Sequence, residues 1–401
     1  MNGKSGAAPP PALSAGRRAL WGRLALLWLA GADLRLTLLA VPPVLPLIHR
    51  DLALSQKAIG ALSGLPILLL GVAAVPGSLL IARLGARRAA IVALLLVAAA
   101  AAARGIGSSA PVLFAMTAVM GAGIALLQPA LPSLVGEWFA AMPGFATAVY
   151  ANGLLLGEGL PAALTIPFLL PLVGGSWQAS LALWAAPVAL TAMLLTALTR
   201  HVPRPAATAP DWWPDWRSPL TWQLGLMSAG SGGLYYSLNT FIPGYLHAIG
   251  RPGLVAACLA ALNLGQLPAS AITLVAARQL TANRAALLSL PPLILLSLVA
   301  FLGPLPWLAI AGAGALGFFG AFVLILTLAL PPLLVPAEAV HHLSAGMFTL
   351  GYTLSFLFPL AGGALWDATR APISAFAASA AAAAVIFVAA LSLRLDRAQP
   401  G

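Results

Sequence analysis

Charge is scarce in this chain. Only 7% of its 401 residues are Asp, Glu, Lys or Arg, and nine are acidic. A soluble protein needs about a quarter of its residues charged. The shortage excludes a soluble globular protein, and with 61% hydrophobic residues most of the surface must be covered by lipid. Cysteine is nearly missing as well. Cys258 is the single copy, which excludes an intrachain disulfide; set in an apolar run, it reads as a small buried hydrophobe. No nucleophile–base pair is legible, so an enzyme finds no support. Gly312-Ala313-Gly314-Ala315-Leu316-Gly317 matches a dinucleotide fingerprint, but it lacks the strand before it and the acidic residue after it. Inside an apolar span, such small residues allow close helix packing instead. His341 and His342 follow Glu338 at a spacing that is not a zinc signature, and they read as solvated loop residues. No metal or cofactor is therefore expected.

Long apolar runs are what the chain has in abundance. A helix of about 20 mostly apolar residues crosses a bilayer, and candidate spans fall at 20–48, 58–84, 89–107, 112–135, 145–173 and 179–198. A second set falls at 220–249, 254–277, 285–303, 305–335, 343–366 and 373–395. The fold class predicted is all-α: a polytopic membrane protein of twelve transmembrane helices in two six-helix halves. The 39 glycines and 34 prolines fit, because membrane helices tolerate both. The first run is too long for a signal h-region of roughly 7–15 residues, so it is read as an uncleaved helix.

The longest polar connection, 199–219, carries prolines 203, 205, 210, 214 and 219, with Trp212, Trp213 and Trp216 suited to an interfacial belt. The predicted organisation is a tail at 1–19, a six-helix bundle at 20–198, a linker at 199–219, a second bundle at 220–395 and a tail at 396–401. Lys and Arg set the orientation. With the N-terminus inside, the cytoplasmic side receives Lys4, Arg17, Arg18, Arg23, Arg83, Arg87, Arg88, Arg200, Arg204, Arg217, Arg278, Arg284, Arg394 and Arg397. The outer side receives only Arg50, Lys57, Arg251 and Arg370. This asymmetry accounts for the net charge of +11 without nucleic acid, and it places both termini in the cytoplasm of a bacterial-type inner membrane.

The two sets of spans repeat each other. Pro43 recurs as Pro243, Leu65-Pro66 as Leu267-Pro268, Ala130-Leu131-Pro132 as Ala329-Leu330-Pro331, and Pro161 as Pro359. Parallel repeats of six-helix halves mark transporters that alternate access by rocking one half against the other.

Several segments carry a family resemblance. They are Asp33-Leu34-Arg35-Leu36 in the first span, Pro129-Ala130-Leu131-Pro132 closing the fourth, and Trp177-Gln178-Ala179-Ser180-Leu181-Ala182-Leu183-Trp184-Ala185 opening the sixth. In the seventh, Tyr236 is followed by Phe241-Ile242-Pro243-Gly244-Tyr245-Leu246. Together they resemble the major facilitator superfamily, within it the branch of cyanate permeases and 2-nitroimidazole transporters. The likeness spans nearly the whole chain. It departs from the branch at Asp33, where Asn is usual, and at Gly136-Glu137-Trp138-Phe139, where basic residues are usual. Ala82 stands where the loop between the second and third helices usually has Asp, while Arg83, Gly85, Arg87 and Arg88 keep that gating pattern. The resemblance implies a monomeric secondary transporter in the lipid bilayer, with a small anion or polar heterocycle as substrate. One rival is an exporter of apolar drugs, which few cavity charges would favour. A membrane receptor or sensor is another, and it would want an attached soluble domain.

Four ionisable residues fall deep in the spans. A charge at mid-membrane costs at least about 2.5–3.5 kcal/mol and is a functional candidate by default. From the helical rise, Asp33 lies roughly 17 Å from the cytoplasmic end of its span, Arg35 roughly 20 Å, Glu158 roughly 21 Å and Arg104 roughly 22 Å. Arg35 is expected to face the cavity and pair with Glu158 or with an anionic substrate, since its planar fork donates two parallel hydrogen bonds. Glu158 is a candidate proton carrier or a fixed counter-ion to Arg35 or Arg104, and Asp33 needs a partner on another helix. Arg104, near the outer end of its span, is expected to snorkel to the interface. The remaining lining is assigned to Tyr235, Tyr236, Asn239, Asn263, Gln266, Tyr352 and Phe356, with Arg35 corresponding under the repeat to Tyr235, or to Tyr236 one position on.

Overall fold

The structure, a computed structural model, describes residues 12–72, 81, 83–139, 142–199, 215–272 and 284–393. Most of the predicted linker (200–214), the outermost parts of both tails, Ala82 and the basic residues Lys4, Arg200, Arg204, Arg278, Arg394 and Arg397 lie outside the described residues. Among those described, every regular element is helical.

Ten helices are long and apolar enough to cross a membrane. Two more occupy the remaining predicted positions. Gln56–Val72 has only 17 described residues, and Pro219–Ala248 is long but rich in Gly, Ser, Thr, Tyr and Asn. In chain order the twelve are α1 (Ala12–Leu39), α2 (Gln56–Val72), α3 (Ala86–Ala103), α4 (Ala110–Trp138), α5 (Pro143–Leu164) and α6 (Trp177–Leu198). Then come α7 (Pro219–Ala248), α8 (Pro252–Ile272), α9 (Arg284–Phe301), α10 (Pro306–Ala329), α11 (His342–Thr369) and α12 (Pro372–Ser392).

Burial sorts these helices. From Leu24 to Leu39 most α1 side chains are buried, and α7 is buried to a similar degree. A helix covered on all faces belongs at the centre of a bundle. By contrast, α3, α6, α9 and α12 present Leu95, Met193, Leu296 and Val388 outward, an apolar face suited to acyl chains.

Packing in the first six helices recurs in the last six. α1 lies along α5 as α7 lies along α11; α3 packs on α4 and α6 as α9 packs on α10 and α12; α2 meets α4 as α8 meets α10. The repeated prolines behave differently in the two copies. Each removes the N–H that would bond the carbonyl four residues earlier. Pro66, Pro132 and Pro161 are nevertheless carried inside helices, whereas the second set sits beside interruptions at Gly265, Leu330 and Phe356. Only the first pair reverses this order: α1 stops before Pro42-Pro43 and restarts as Leu45–Leu52, while α7 runs through Pro243. His341 and His342 are a correction to the sequence reading. They stand not in a loop but in the opening turns of the helical segment Ala337–Ser355, which starts directly after Pro336.

The halves meet mainly where α2 runs beside α11, with a second contact of α5 on α8. Gly60 makes the first contact possible, because a Cβ there would overlap the Pro359 carbonyl; Gly363 stands likewise against the Gln56 carbonyl. At the end of this seam Asp367 accepts hydrogen bonds from the Gln56 and Lys57 amides, at 2.9 and 2.8 Å. A carboxylate on the free amides of a helix N-terminus is favoured by charge and by hydrogen bonding. That end of the seam is therefore clamped by α11 of one half on α2 of the other.

Candidate functional site

The buried centre is assembled from both halves. α1 turns Arg35 toward α5, where a Cβ on Gly157 would overlap the Ala32 carbonyl, so the two helices touch at that level. Glu158 is thereby brought to Arg35: Nε lies 3.2 Å from Oε1, with the two side chains 8% and 7% exposed. The other carboxylate oxygen accepts from Gln266 Nε2 at 2.8 Å. Gln266 stands just beyond the interruption of α8 at Gly265, so one carboxylate joins an arginine of the first half to an amide of the second. Arg35 Nη1 has no hydrogen-bond partner among the described residues.

Aromatic and amide groups complete the surroundings. The Tyr235 hydroxyl donates to Asn263 Oδ1 at 2.5 Å and is also within hydrogen-bonding reach of Glu158. Asn263 Nδ2 donates to Asn239 Oδ1 at 2.9 Å and to the Leu259 carbonyl at 2.8 Å, while Asn239 Nδ2 returns to the Tyr235 carbonyl. Tyr235 and Tyr236 meet edge to face with ring centres 5.2 Å apart. Both rings and that of Tyr352 lie within electrostatic range of the Arg35 guanidinium. Tyr352 stacks on Phe348 and accepts a 2.8 Å hydrogen bond from Gln128 Nε2.

The structure therefore groups Arg35, Glu158, Gln266, Tyr235, Tyr236, Asn239 and Asn263, with Tyr352 facing them from α11. Other named residues lie elsewhere. Phe356 sits at the α11 interruption against Gly64 of α2, in the seam between the halves. Asp33 is 2% exposed and lies beside Thr191 of α6, with Oδ2 lacking a partner among the described residues. Arg104 corrects an expectation, since it does not snorkel: it is 0% exposed, and Nη2 donates to the Thr37 carbonyl at 2.9 Å. That carbonyl lies where α1 approaches its end before Pro42, and it draws the guanidinium inward. In the predicted gating loop Gly85 has φ +79°, which glycine adopts freely. Arg87 donates to Thr199 and to the Thr196 and Thr199 carbonyls, capping the end of α6; Arg83 and Arg88 are exposed.

Gln128 escaped the sequence reading, although an amide in the middle of the apolar α4 is the same signal that singled out Gln266. Thr37, Ser63 and Thr117 were missed for a different reason: hydroxyls inside spans are common and usually bond their own helix.

Comparison with known proteins places this geometry in a family. Residues 27–359 match the Major Facilitator Superfamily. The cyanate transport protein CynX of Escherichia coli (strain K12) is 30% identical over 353 residues, covering 85% of this chain and 89% of that protein. The 2-nitroimidazole transporter of the same strain is 27% identical over 216 residues, covering 53% of this chain and 54% of that protein. In architecture the chain is similar to an inward-facing, unoccupied bacterial homologue of the human lysosomal transporter Spinster, with a TM-score of 0.74 at 16% identity over 98% of this chain and 100% of that one. The family consists of transporters, not enzymes. With the match covering both halves of a helical bundle built around a buried polar centre, the chain belongs to the Major Facilitator Superfamily.

Proposed function

We propose that this transporter carries a small anion of the cyanate type, or a small polar heterocycle, and that Arg35 recognises it. The observation that carries this reading is the arrangement of Arg35. One edge of the guanidinium is held by Glu158, the opposite nitrogen Nη1 is unpartnered among the described residues, and tyrosines surround it. A guanidinium held on one side and with an uncommitted donor on the other can give a charge-assisted hydrogen bond to an incoming anion. The relatives named for cyanate and 2-nitroimidazole transport point to the same size of solute. The buried ion pair disfavours an exporter of apolar compounds.

Glu158 supplies the coupling. While ionised it neutralises Arg35; once protonated it leaves the guanidinium unbalanced, and an anion takes the vacated charge. Proton and anion then enter together with no net change at the centre. The halves, at 20–198 and 220–395, rock about this centre in a monomer whose termini both face the cytoplasm of a bacterial inner membrane. The basic loop residues Arg83, Arg87 and Arg88, with Gly85, gate that cytoplasmic side.

The test is a thermal-unfolding screen of purified protein against cyanate, nitrite, formate and 2-nitroimidazole, repeated on Arg35→Ala. At least one solute is expected to stabilise the wild type and not the variant. If both respond alike to every stabilising solute, Arg35 is not the recognition group.

A further inference from the structure

A second polar site, around Arg104, adjoins the Arg35 centre and shares Tyr236 and Asn239 with it. Its Nε reaches the Ala101 carbonyl only at 3.5 Å, and Nη1 has no partner among the described residues. No carboxylate is within ion-pair distance: the ion pairs among the described residues are Arg35–Glu158 and Arg50–Asp51. A fully buried guanidinium without a counter-charge is expensive to maintain, and the acceptors that meet it, the Thr37 and Ala101 carbonyls, are neutral.

Ser63 of α2 and Thr117 of α4 line the same small cavity as Arg104. Buried hydroxyls in helices ordinarily bond the carbonyl one turn back. Here Thr191, Thr240, Ser297 and Thr327 do so, each to the residue four positions earlier. Ser63 Oγ and Thr117 Oγ1 do not, and neither has a partner among the described residues. The opposite wall is Tyr236, Asn239 and Thr240 of α7, with the Asn239 and Thr240 donors already committed to the Tyr235 and Tyr236 carbonyls. Three uncommitted donors, one of them cationic, therefore face about 20 Å³ of space, room for a single water-sized or monatomic occupant.

We propose that Arg104, Thr117 and Ser63 hold a small monovalent anion of the halide class in a small cavity at the junction of the two halves. The anion neutralises Arg104 and accepts both hydroxyl protons. Because α7 closes the cavity from the second half, the site is complete only while α7 rests on α1, α2 and α4. It is separate from Arg35, which does not line the cavity, and it does not depend on the transported solute.

The experiment titrates purified full-length protein with sodium bromide, exchanged for sodium gluconate at constant ionic strength and pH, and follows the thermal unfolding midpoint. A ligand that binds only the folded state raises the midpoint in a saturable way. The expected result is a bromide-specific, saturable rise in the wild type and in Arg35→Ala, and none in Arg104→Gln. In Thr117→Val and Ser63→Ala the half-saturating bromide concentration should rise at least about tenfold, the lower end of the effect of losing one hydrogen bond to a charged group. Should Arg104→Gln fail to fold, Thr117→Val decides. A wild type that does not distinguish bromide from gluconate overturns the proposal, as does an unchanged response in Thr117→Val; the cavity then holds water only. Loss of the response in Arg35→Ala with retention in Thr117→Val overturns it too, because bromide would then be binding at the Arg35 centre.

Discussion

Replacing Glu158 by Gln removes one charge from the centre while keeping the shape of the side chain. Glu158 lies 3.2 Å from Arg35 Nε and accepts from Gln266 Nε2 at 2.8 Å. A glutamine retains one carbonyl oxygen for Arg35, but its amide turns a donor toward Gln266. Breaking a buried ion pair by removing one partner costs about 3–5 kcal/mol, because the other charge is left uncompensated. The retained acceptor brings the expected loss toward the lower end of that range. An anion bound at Arg35 restores the balance and recovers part of the loss, so the variant should be less stable alone yet bind the anion more tightly. A recovery of about 1.4 kcal/mol corresponds to tenfold in affinity. The pH dependence follows from the proposed coupling. In the wild type, anion binding takes up a proton at Glu158, so affinity rises as pH falls; in Glu158→Gln no proton is taken up there and affinity should be flat. The assay is a thermal-shift titration with cyanate at several pH values, paired with exchange and net uptake in proteoliposomes. Exchange should persist in the variant while net uptake driven by a pH gradient is lost. If Glu158→Gln binds the anion no more tightly than the wild type and keeps its pH dependence, the coupling assigned to Glu158 is wrong.

Two further outcomes follow from the seam. Asp367→Asn removes the charge from the N-terminus of α2 and weakens two amide contacts of 2.9 and 2.8 Å; the loss should be about 0.5–1 kcal/mol, read as a lower thermal unfolding midpoint. Gly60→Leu forces a side chain into the Pro359 carbonyl, so α2 can no longer lie on α11; the variant should insert and fold its halves but unfold at a lower midpoint, and an unchanged midpoint would refute the close approach as the seal.

The helices were legible in the sequence because each span must satisfy its own backbone in lipid, which leaves a long apolar signature. That signature is weakest where function concentrates. α7 carries Ser228, Ser231, Tyr235, Tyr236, Asn239 and Thr240, which lowers its hydropathy and explains why it fails a length-and-apolarity criterion although it lies at the centre. The pairing of Arg35 with Glu158 was within reach of the sequence, since two opposite charges at one depth on neighbouring helices rarely remain apart. The bond from Gln266 was not, because it depends on the α8 interruption at Gly265, and a repeated proline alone does not say which copy breaks its helix. Arg104 misled for a related reason. Its position predicts snorkelling, but the end of α1 before Pro42-Pro43 places the Thr37 carbonyl close enough to hold it inside.

The shared carboxylate also explains why a proton on Glu158 should be felt by both halves. Ionised, Glu158 accepts simultaneously from Arg35 on α1 and Gln266 on α8, and it lies within reach of the Tyr235 hydroxyl on α7. A protonated acid has a donor of its own and fewer acceptor positions, so it cannot serve all three groups. Tyr235 has a second acceptor in Asn263, and Asn263 in turn is tied to Asn239. Gln266 has no such relay, its other contact being the Asn263 carbonyl at 3.3 Å. The group most weakened by protonation is thus, among the described residues, the only direct polar link from the Arg35–Glu158 pair to α8. That segment is already interrupted at Gly265, so it changes position at lower cost than the uninterrupted α5 it packs against. On the proposed reading, loading the centre and loosening one contact between the halves are the same chemical event.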